Sequence, residues 1–474
     1  MQFTLPTPTD DTAQNDGVLL RREDYHKLIE EIEKLRKENA ELKEENAELR
    51  RRLGLNSTNS SKPPSSDSPS VERPSRTPTG RSPGKQEGDR GHRRPFLNPT
   101  QIVEHRSEVC RHCGADIPPD IPVSGSYERR QQVEIPPIEP IVIEHRYHSI
   151  RCPRCGKLTR EEIKEEHKLC CGPHLASLIA ILTTVHNLPR RHIDELLKDI
   201  LGIQVSLGTV DNCVHEVGEA VEEPVNVLKE QLPQQDKLNI DETGWKKAGE
   251  KRWLWAFVAS NFTFFQIVKS RSKKVLEEIL GEFFPGIITS DRFSVYRSYR
   301  MAGWQICLAH LIREAKGLAQ SDDPATSCFG YWIRRELKLM ISLWKKGEAR
   351  SLEMNACKAR LRRACLLSQD SEDRHVRNLA RAILKNWESV TLFTRVEGIS
   401  PTNNVAERSL RSLVIARKIS FGNHSEKGLV TTACLRTVVA TARMRGLNVW
   451  DYLTHALVQY RSGQPVPLLD ISSG

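Results

Sequence analysis

The sequence predicts a multidomain chain. An N-terminal α-helical coiled coil comes first, then a small β module built on paired cysteines, a helical segment, and an α/β domain interrupted by a helical insertion. Three observations carry this. Leucines recur every seven residues at Leu28, Leu35, Leu42 and Leu49. Two C-x-x-C-G units, Cys110/Cys113 and Cys152/Cys155, follow further along. Beyond residue 233, short apolar strand-like runs alternate with amphipathic helices, the pattern of a sheet covered by helices.

Composition bounds the function classes. The chain has 474 residues, 38% of them hydrophobic, and a formal net charge of +10. An excess of cations favours a polyanionic partner, most simply nucleic acid. The 12 cysteines are scattered outside the two pairs, which suits a reducing compartment better than a disulfide scaffold. No apolar run approaches the ~20 residues of a membrane span. The polar start MQFTLPTPTDDTAQND does not read as a secretory signal. An intracellular protein with no membrane partner is expected.

Residues 1–55 hold the coiled coil. Ile32, Asn39, Asn46 and Leu53 form a second seam beside the leucines, with Glu, Lys and Arg between. A sustained heptad winds helices together, and buried Asn at a positions favours a parallel two-stranded register. A single amphipathic helix packed on its own chain is the alternative. Residues 56–100 are rich in Ser, Pro, Gly and charge; they bury too little apolar surface to offset chain entropy and read as a disordered linker.

Residues 101–160 carry the cysteine pairs. Thiolates three apart on a tight turn face one ion, and the glycine after each pair closes the turn. Four sulfurs make a closed tetrahedral zinc site, and SYERRQQVEI and PIVIEHRYHSI between the knuckles predict strands, the layout of a zinc ribbon. Residues 161–232 read as helical. A helix ending near Leu201-Gly202 and a second one capped by Ser206 suggest a helix-turn-helix, although ordinary helix packing gives the same pattern. Cys170, Cys171 and His174 read as incidental.

Residues 233–319 predict a strand ending at Asp241, a hairpin around Ser260-Asn261, a helix from SKKVLEEILGEF, a strand ending at Asp291, and a strand WQICLAH running into a helix. This is a mixed sheet with helices. Residues 320–400 carry only helical signals and look inserted. Residues 401–474 resume with a capped helix containing Glu407 and close with helices.

Strand tips in helix-covered sheets gather ligands, which draws attention to Asp241 and Asp291. With Glu407 they would form a trio able to hold two Mg²⁺ ions about 4 Å apart and clamp a phosphodiester. Taken singly, the aspartates also fit caps or turns, and Glu407–Arg411 fits a helical ion pair.

Five pieces in order resemble the insertion sequence 66 family of bacterial transposases, over nearly the whole chain. They are the zipper, LNSTNSSKPPSSD, the paired C-x-x-C module, NIDETGW…SDRFSVY…CLAHLIREAK, and NNVAERSLRSLVIARKISFGNHSEKG. The resemblance implies an RNase H-like domain, in parts 233–319 and 401–474, with a DDE triad at Asp241, Asp291 and Glu407 binding Mg²⁺. It also implies a role in orienting the site or contacting phosphate for His310, of the family's C-x-x-H signature at Cys307–His310, and for Arg313. Arg292 stands where the family usually has a small residue; it would approach the scissile phosphate or swing outward. Asn403, Asn404, Arg408, Arg411 and Lys418 are supporting or DNA-contacting candidates, as are Arg417 and Lys427. Trp245 either stacks on an unpaired base or belongs to the core edge. The resulting expectation is a bacterial, cytoplasmic, nucleoid-associated homo-oligomer, at least a dimer. It would bind terminal inverted repeats and target DNA as duplexes, cleave 3′ ends and join them. The rival readings are a non-catalytic dimeric zinc regulator and an RNase H-like nuclease without strand transfer.

Overall fold

A computed structural model describes residues 22–54, 56, 59, 95–123, 125 and 127–469. The chain divides into two compact units: Met1–Val71 with Ile287–Arg297 and Gly303–Asn403, and Glu72–Gly286 with Ser298–Ala302 and Asn404–Gly474. Most of the linker expected over 56–100 lies outside the described residues. No described helix is long and apolar enough to cross a membrane.

Helix α1 spans Arg22–Gly54. Its seam residues Leu28, Leu35 and Leu42 are 46%, 54% and 57% exposed, so these described leucines are about half open to solvent. The seam side chains of Asn46, Leu49 and Leu53 lie outside the described residues.

In the second unit the two cysteine knuckles come first. Of the strands expected between them, the described residues show only the end of the second, Ser149 and Ile150 of PIVIEHRYHSI, in strand. A bridge between Val109 and Asp116 flanks the first knuckle, and β1 (Ser149–Arg151) pairs antiparallel with β2 (Leu158–Arg160) around the second. The cause is legible: Pro136, Pro137 and Pro140 interrupt the β-branched run, and each removes a ladder donor. Four helices follow: α2 (Pro173–Thr184), α3 (Arg190–Leu201), α4 (Leu207–Ala220) and α5 (Glu222–Glu230). Gly202 ends α3 in the left-handed region at φ 66°. The Ser206 side chain caps α4 by accepting from Thr209 N at 3.1 Å, satisfying one orphan amide.

Next come β3 (Lys237–Lys247), β4 (Glu250–Val258), β5 (Thr263–Val268), α6 (Lys273–Leu280), β6 (Phe283–Ser290), α7 (Ser294–Ser298) and β7 (Arg300–Ile306). One sheet holds the five strands in the order β5-β4-β3-β6-β7, with β3–β4 and β4–β5 antiparallel. Strand β3 does not stop at Asp241. It runs six residues further and pairs Asp241 with Ala256 and Trp245 with Arg252. The turn comes at Ala248-Gly249, both with positive φ (47° and 86°), as a two-residue hairpin of right-handed strands requires. Asp241 is therefore a mid-strand residue, a correction to the expected strand tip.

The first unit contains α8 (Leu308–Leu318), α9 (Pro324–Lys345), α10 (Leu352–Ser368), α11 (Arg374–Lys385) and α12 (Trp387–Val390). Their apolar faces meet in a core that includes Leu311, Ile333, Leu337, Met340, Leu361 and Ile383. The second unit closes with α13 (Asn404–Ser420), α14 (Glu426–Met444) and α15 (Val449–Arg461). There Leu410 and Leu413 of α13 and Leu429 of α14 pack on Trp245, Leu254, Ala256 and Phe265 of the sheet. Burying these large side chains contributes roughly 2–3 kcal/mol each.

Candidate active site

Within the second unit, Asp241 lies partly buried on β3, its Oδ1 accepting from Glu242 N at 3.0 Å. The strand alternates: Leu238, Ile240 and Glu242 turn to one face, while Asp241, Thr243 and Trp245 share the other. Next to Asp241, the carboxylate of Glu242 is fixed by Arg271, whose Nε and Nη2 donate at 2.9 and 2.6 Å. That pair stiffens the strand on its far face, and no sequence motif pointed to it.

Helix α13 runs alongside β3 in the same sense. Arg417 Nη1 donates to Thr243 Oγ1 at 3.3 Å and to the Gly244 carbonyl. Further along both, Asn423 N donates to Lys246 O at 3.0 Å and Ala248 N to Asn423 O at 2.8 Å, with Lys247 and Asn423 bridged in parallel. As β3 advances from Gly244 to Lys247, the facing chain advances from Arg417 to Asn423. Glu407, in the first turn of α13, is ten residues before Arg417, about 15 Å of helix. It therefore lies toward the half of β3 that carries Asp241. Gly422 makes this junction close: at φ +113°, a Cβ there would run into the Lys246 carbonyl.

Trp245 does not present itself to a ligand as a stacking face. It is 3% exposed and donates its indole N–H to Asn423 Oδ1 at 2.9 Å, which corrects the base-stacking alternative. Arg408, Arg411 and Lys418 are exposed along α13, and Arg408 Nε donates back to Asn404 O at 3.2 Å. Burial lowers the affinity of Arg417 for its proton.

Within the first unit, Asp291 directly follows β6, and its Oδ1 accepts from Phe293 N at 2.9 Å. Its neighbour Arg292 neither reaches outward nor is left open: Nη2 donates to Glu314 Oε2 at 2.7 Å. This holds Arg292 in an ion pair rather than swung outward as a surface charge. Cys307 is fully buried and ties three segments together. Its N donates to Ser290 O at 2.8 Å, its Sγ accepts from Asn403 N at 3.1 Å, and the next amide, Leu308 N, donates to Pro401 O at 2.9 Å. Asn403 is thus buried backbone scaffolding one residue before α13. His310 and Arg313 rise from the first turns of α8. Burial, then the charges of Arg313 and Arg292, push the His310 imidazole down to about 3, so it is neutral near pH 7 and fits a hydrogen-bonding role.

The cysteine knuckles are near copies of each other. Cys110 N donates to Ala115 O at 2.8 Å and Gly114 N to Cys110 O at 2.9 Å; Cys152 N donates to Lys157 O at 2.8 Å and Gly156 N to Cys152 O at 2.9 Å. Gly114 and Gly156 sit at φ 74° and 70°. Backbone hydrogen bonds from His112 and Cys113 lower the Cys110 thiol, and those from Cys155 and Arg154 lower Cys152, which favours thiolate ligands. Each knuckle brings its own pair together. Among the described residues, no three of the four thiols lie within 4.8 Å of one another, so a single ion would draw the two knuckles closer. The donor set and the turn geometry fit zinc.

The sequence profile described as Transposase IS66 family matches residues 168–431, more than half of the chain, and the chain belongs to that family. A zinc-finger binding domain of transposase IS66 matches residues 107–156, which makes zinc the structural metal of the knuckles. A family of unknown function matches residues 14–95. Three proteins of Sinorhizobium fredii are similar. Uncharacterized protein y4qI is 23% identical over 328 residues, 61% of this chain and 60% of its own length. Uncharacterized protein y4jD is 26% identical over 241 residues, 46% of each chain. Uncharacterized protein y4hP is 32% identical over 77 residues, 16% of this chain and 14% of its own. The chain thus spans no more than 60% of the length of these relatives.

Proposed function

We propose that this chain is a DDE-type polynucleotidyl transferase of RNase H-like architecture that binds the terminal inverted repeats of its element, cleaves the 3′ ends and joins them to target DNA. Asp241, Asp291 and Glu407 are the catalytic carboxylates and hold the Mg²⁺ pair. When bound, that pair supplies the Lewis acidity that activates water or a 3′-hydroxyl and takes up charge on the leaving oxygen. His310 and Arg313 orient the site, and Arg408, Arg411 and Lys418 neutralise backbone phosphate. Exposed leucines on α1 support assembly as at least a dimer, which gathers two ends.

The observation that carries the reading is the parallel run of α13 along β3, which directs Glu407 to the Asp241 half of that strand. Asp291 at the end of β6 adds the third acid, β6 being the next strand to β3 in the sheet order. A strand-transfer assay on end DNA with Mg²⁺ tests it. Asp241→Asn, Asp291→Asn and Glu407→Gln should each lower joining by about 10²-fold or more, with DNA binding retained. Joining at the wild-type rate by any of them removes that acid from the triad. Pre-cut 3′-hydroxyl ends separate a transferase, which joins them, from a nuclease, which does not.

A further inference from the structure

A second site in the second unit is carried by a buried charge. Between the α2–α3 connection, α4 and the start of α14 lies a cavity of about 390 Å³, within the ~300–1,000 Å³ range of ligand pockets. Arg436 of α14 lines it and is 6% exposed. Its Nη2 donates to Asn187 Oδ1, a neutral partner, and its Nε has no hydrogen-bond partner. Among the described residues Arg436 makes no ion pair. Burial and the like charge of Arg443 push the guanidinium down to about 10, still charged at neutral pH. A buried cation without a counter-ion is a standing cost to the fold.

The rest of the lining is built to receive an anion. Helix α3 opens onto the cavity at Pro189 and Arg190 without a side-chain cap, while the start of α14, which lines it at Ser425 and Gly428, is capped by Ser425 Oγ accepting from Gly428 N at 3.0 Å. Both helix ends carry partial positive charge. One carboxylate also lines the cavity, Asp211, but it is already engaged. Arg190 donates to it at 2.6 and 3.0 Å, and His215 lies 3.5 Å from its other oxygen.

We infer that this cavity is a phosphate-binding site, with Arg436 as its cation, and that it takes a backbone phosphate of a DNA strand, the attached nucleoside filling the remaining volume. Trp245 borders it, four residues along β3 from Asp241, or about 13 Å of strand. A strand entering the proposed active site would thus be anchored about four nucleotides away at ~3.4 Å per nucleotide. The inference rests on the reading that the chain acts on DNA, but not on its chemistry.

Asn187→Asp tests it. The residue has φ 56°, a conformation Asp tolerates nearly as well as Asn, and the change sets an internal carboxylate against Arg436. Thermal unfolding of the full chain is followed in inorganic phosphate and in chloride at matched ionic strength, without divalent cations. Wild type should be raised by phosphate and not by chloride. Asn187→Asp should melt higher in chloride and lose the response to phosphate. Its affinity for an end oligonucleotide should fall about tenfold, with the salt slope reduced by about 1. Wild type indifferent to phosphate, or a variant that responds as wild type does, overturns the site. A phosphate response with unchanged DNA affinity overturns the DNA assignment in favour of free phosphate. Because no cleavage is read, failure of strand transfer leaves these outcomes standing.

Discussion

Trp245 and Asp241 share a face of β3, yet one is locked into the core and the other is proposed for chemistry. The difference is the partner: the Trp245 indole N–H is spent on Asn423, whose amide in turn donates to Gly428 O and Thr432 Oγ1 at 3.0 and 2.9 Å. Trp245→Phe keeps an aromatic ring in place but strands the Asn423 carbonyl oxygen. It should cost about 1–3 kcal/mol, seen as a fall in melting temperature; lost DNA affinity at an unchanged melting point would restore a stacking role. At Gly422 the constraint is backbone. Alanine there combines a positive φ with a collision on the Lys246 carbonyl and should cost about 1–3 kcal/mol, lowering joining because α13 loses its register on β3. An unchanged melting curve would show that the junction relaxes freely. Individual residue types were legible in the sequence: Asp, Glu and Cys at motif positions stand out by chemistry. Their partners were not, because Arg292–Glu314, Arg271–Glu242 and Arg436–Asn187 join residues 22, 29 and 249 apart. Only the folded chain brings such pairs together. Arg436 left one trace, a lone cation inside the apolar run TACLRTVVA.

Helices were easier to read than strands, and the reason is local. The caps at Ser206, Asp323 and Ser351 each accept from an amide three residues on, an interaction written within four residues of sequence. The pairing of β4 with β5 was also visible, because that hairpin closes over the short turn at Ser260-Asn261. Over residues 133–143 the β-branched content suggested strands while three prolines forbade a ladder, and the prolines won. That segment leaves Ile141 and Val142 92% and 84% exposed, so little apolar burial holds the knuckle module. Its order should therefore depend on zinc. Purified protein should carry about one zinc per chain. Chelation, or Cys110→Ser with Cys152→Ser, should remove it and open residues 101–160 to limited proteolysis, while the fragment from 168 onward stays intact. Equal protease resistance with and without metal would show that the module holds itself.

At the scale of the molecule, three kinds of element share one chain: a helix with a half-exposed leucine stripe, thiolate knuckles, and an α/β domain bearing carboxylates. Each alone is common; together they suit the proposed reaction, in which two DNA ends are collected before they are joined. The stripe is the element for which we propose a role in assembly, and it can be disabled without touching the others. Leu28, Leu35 and Leu42 are about half exposed, so replacing all three by Lys removes little intrachain packing but sets like charges at the seam of a parallel pair. The variant should melt as wild type does in its α/β domain and run as a smaller species in light scattering. With end DNA, nicking at single ends should persist, while concerted joining of two ends should fall about tenfold or more, since the second end must then be captured from solution rather than at the high effective concentration of a linked partner. Raising the concentration of the variant should recover part of the concerted product, which separates lost assembly from lost chemistry. If the variant stays the same size and joins paired ends at the wild-type rate, α1 is not the element that brings two chains together, and pairing must be sought in the knuckles or the α/β domain.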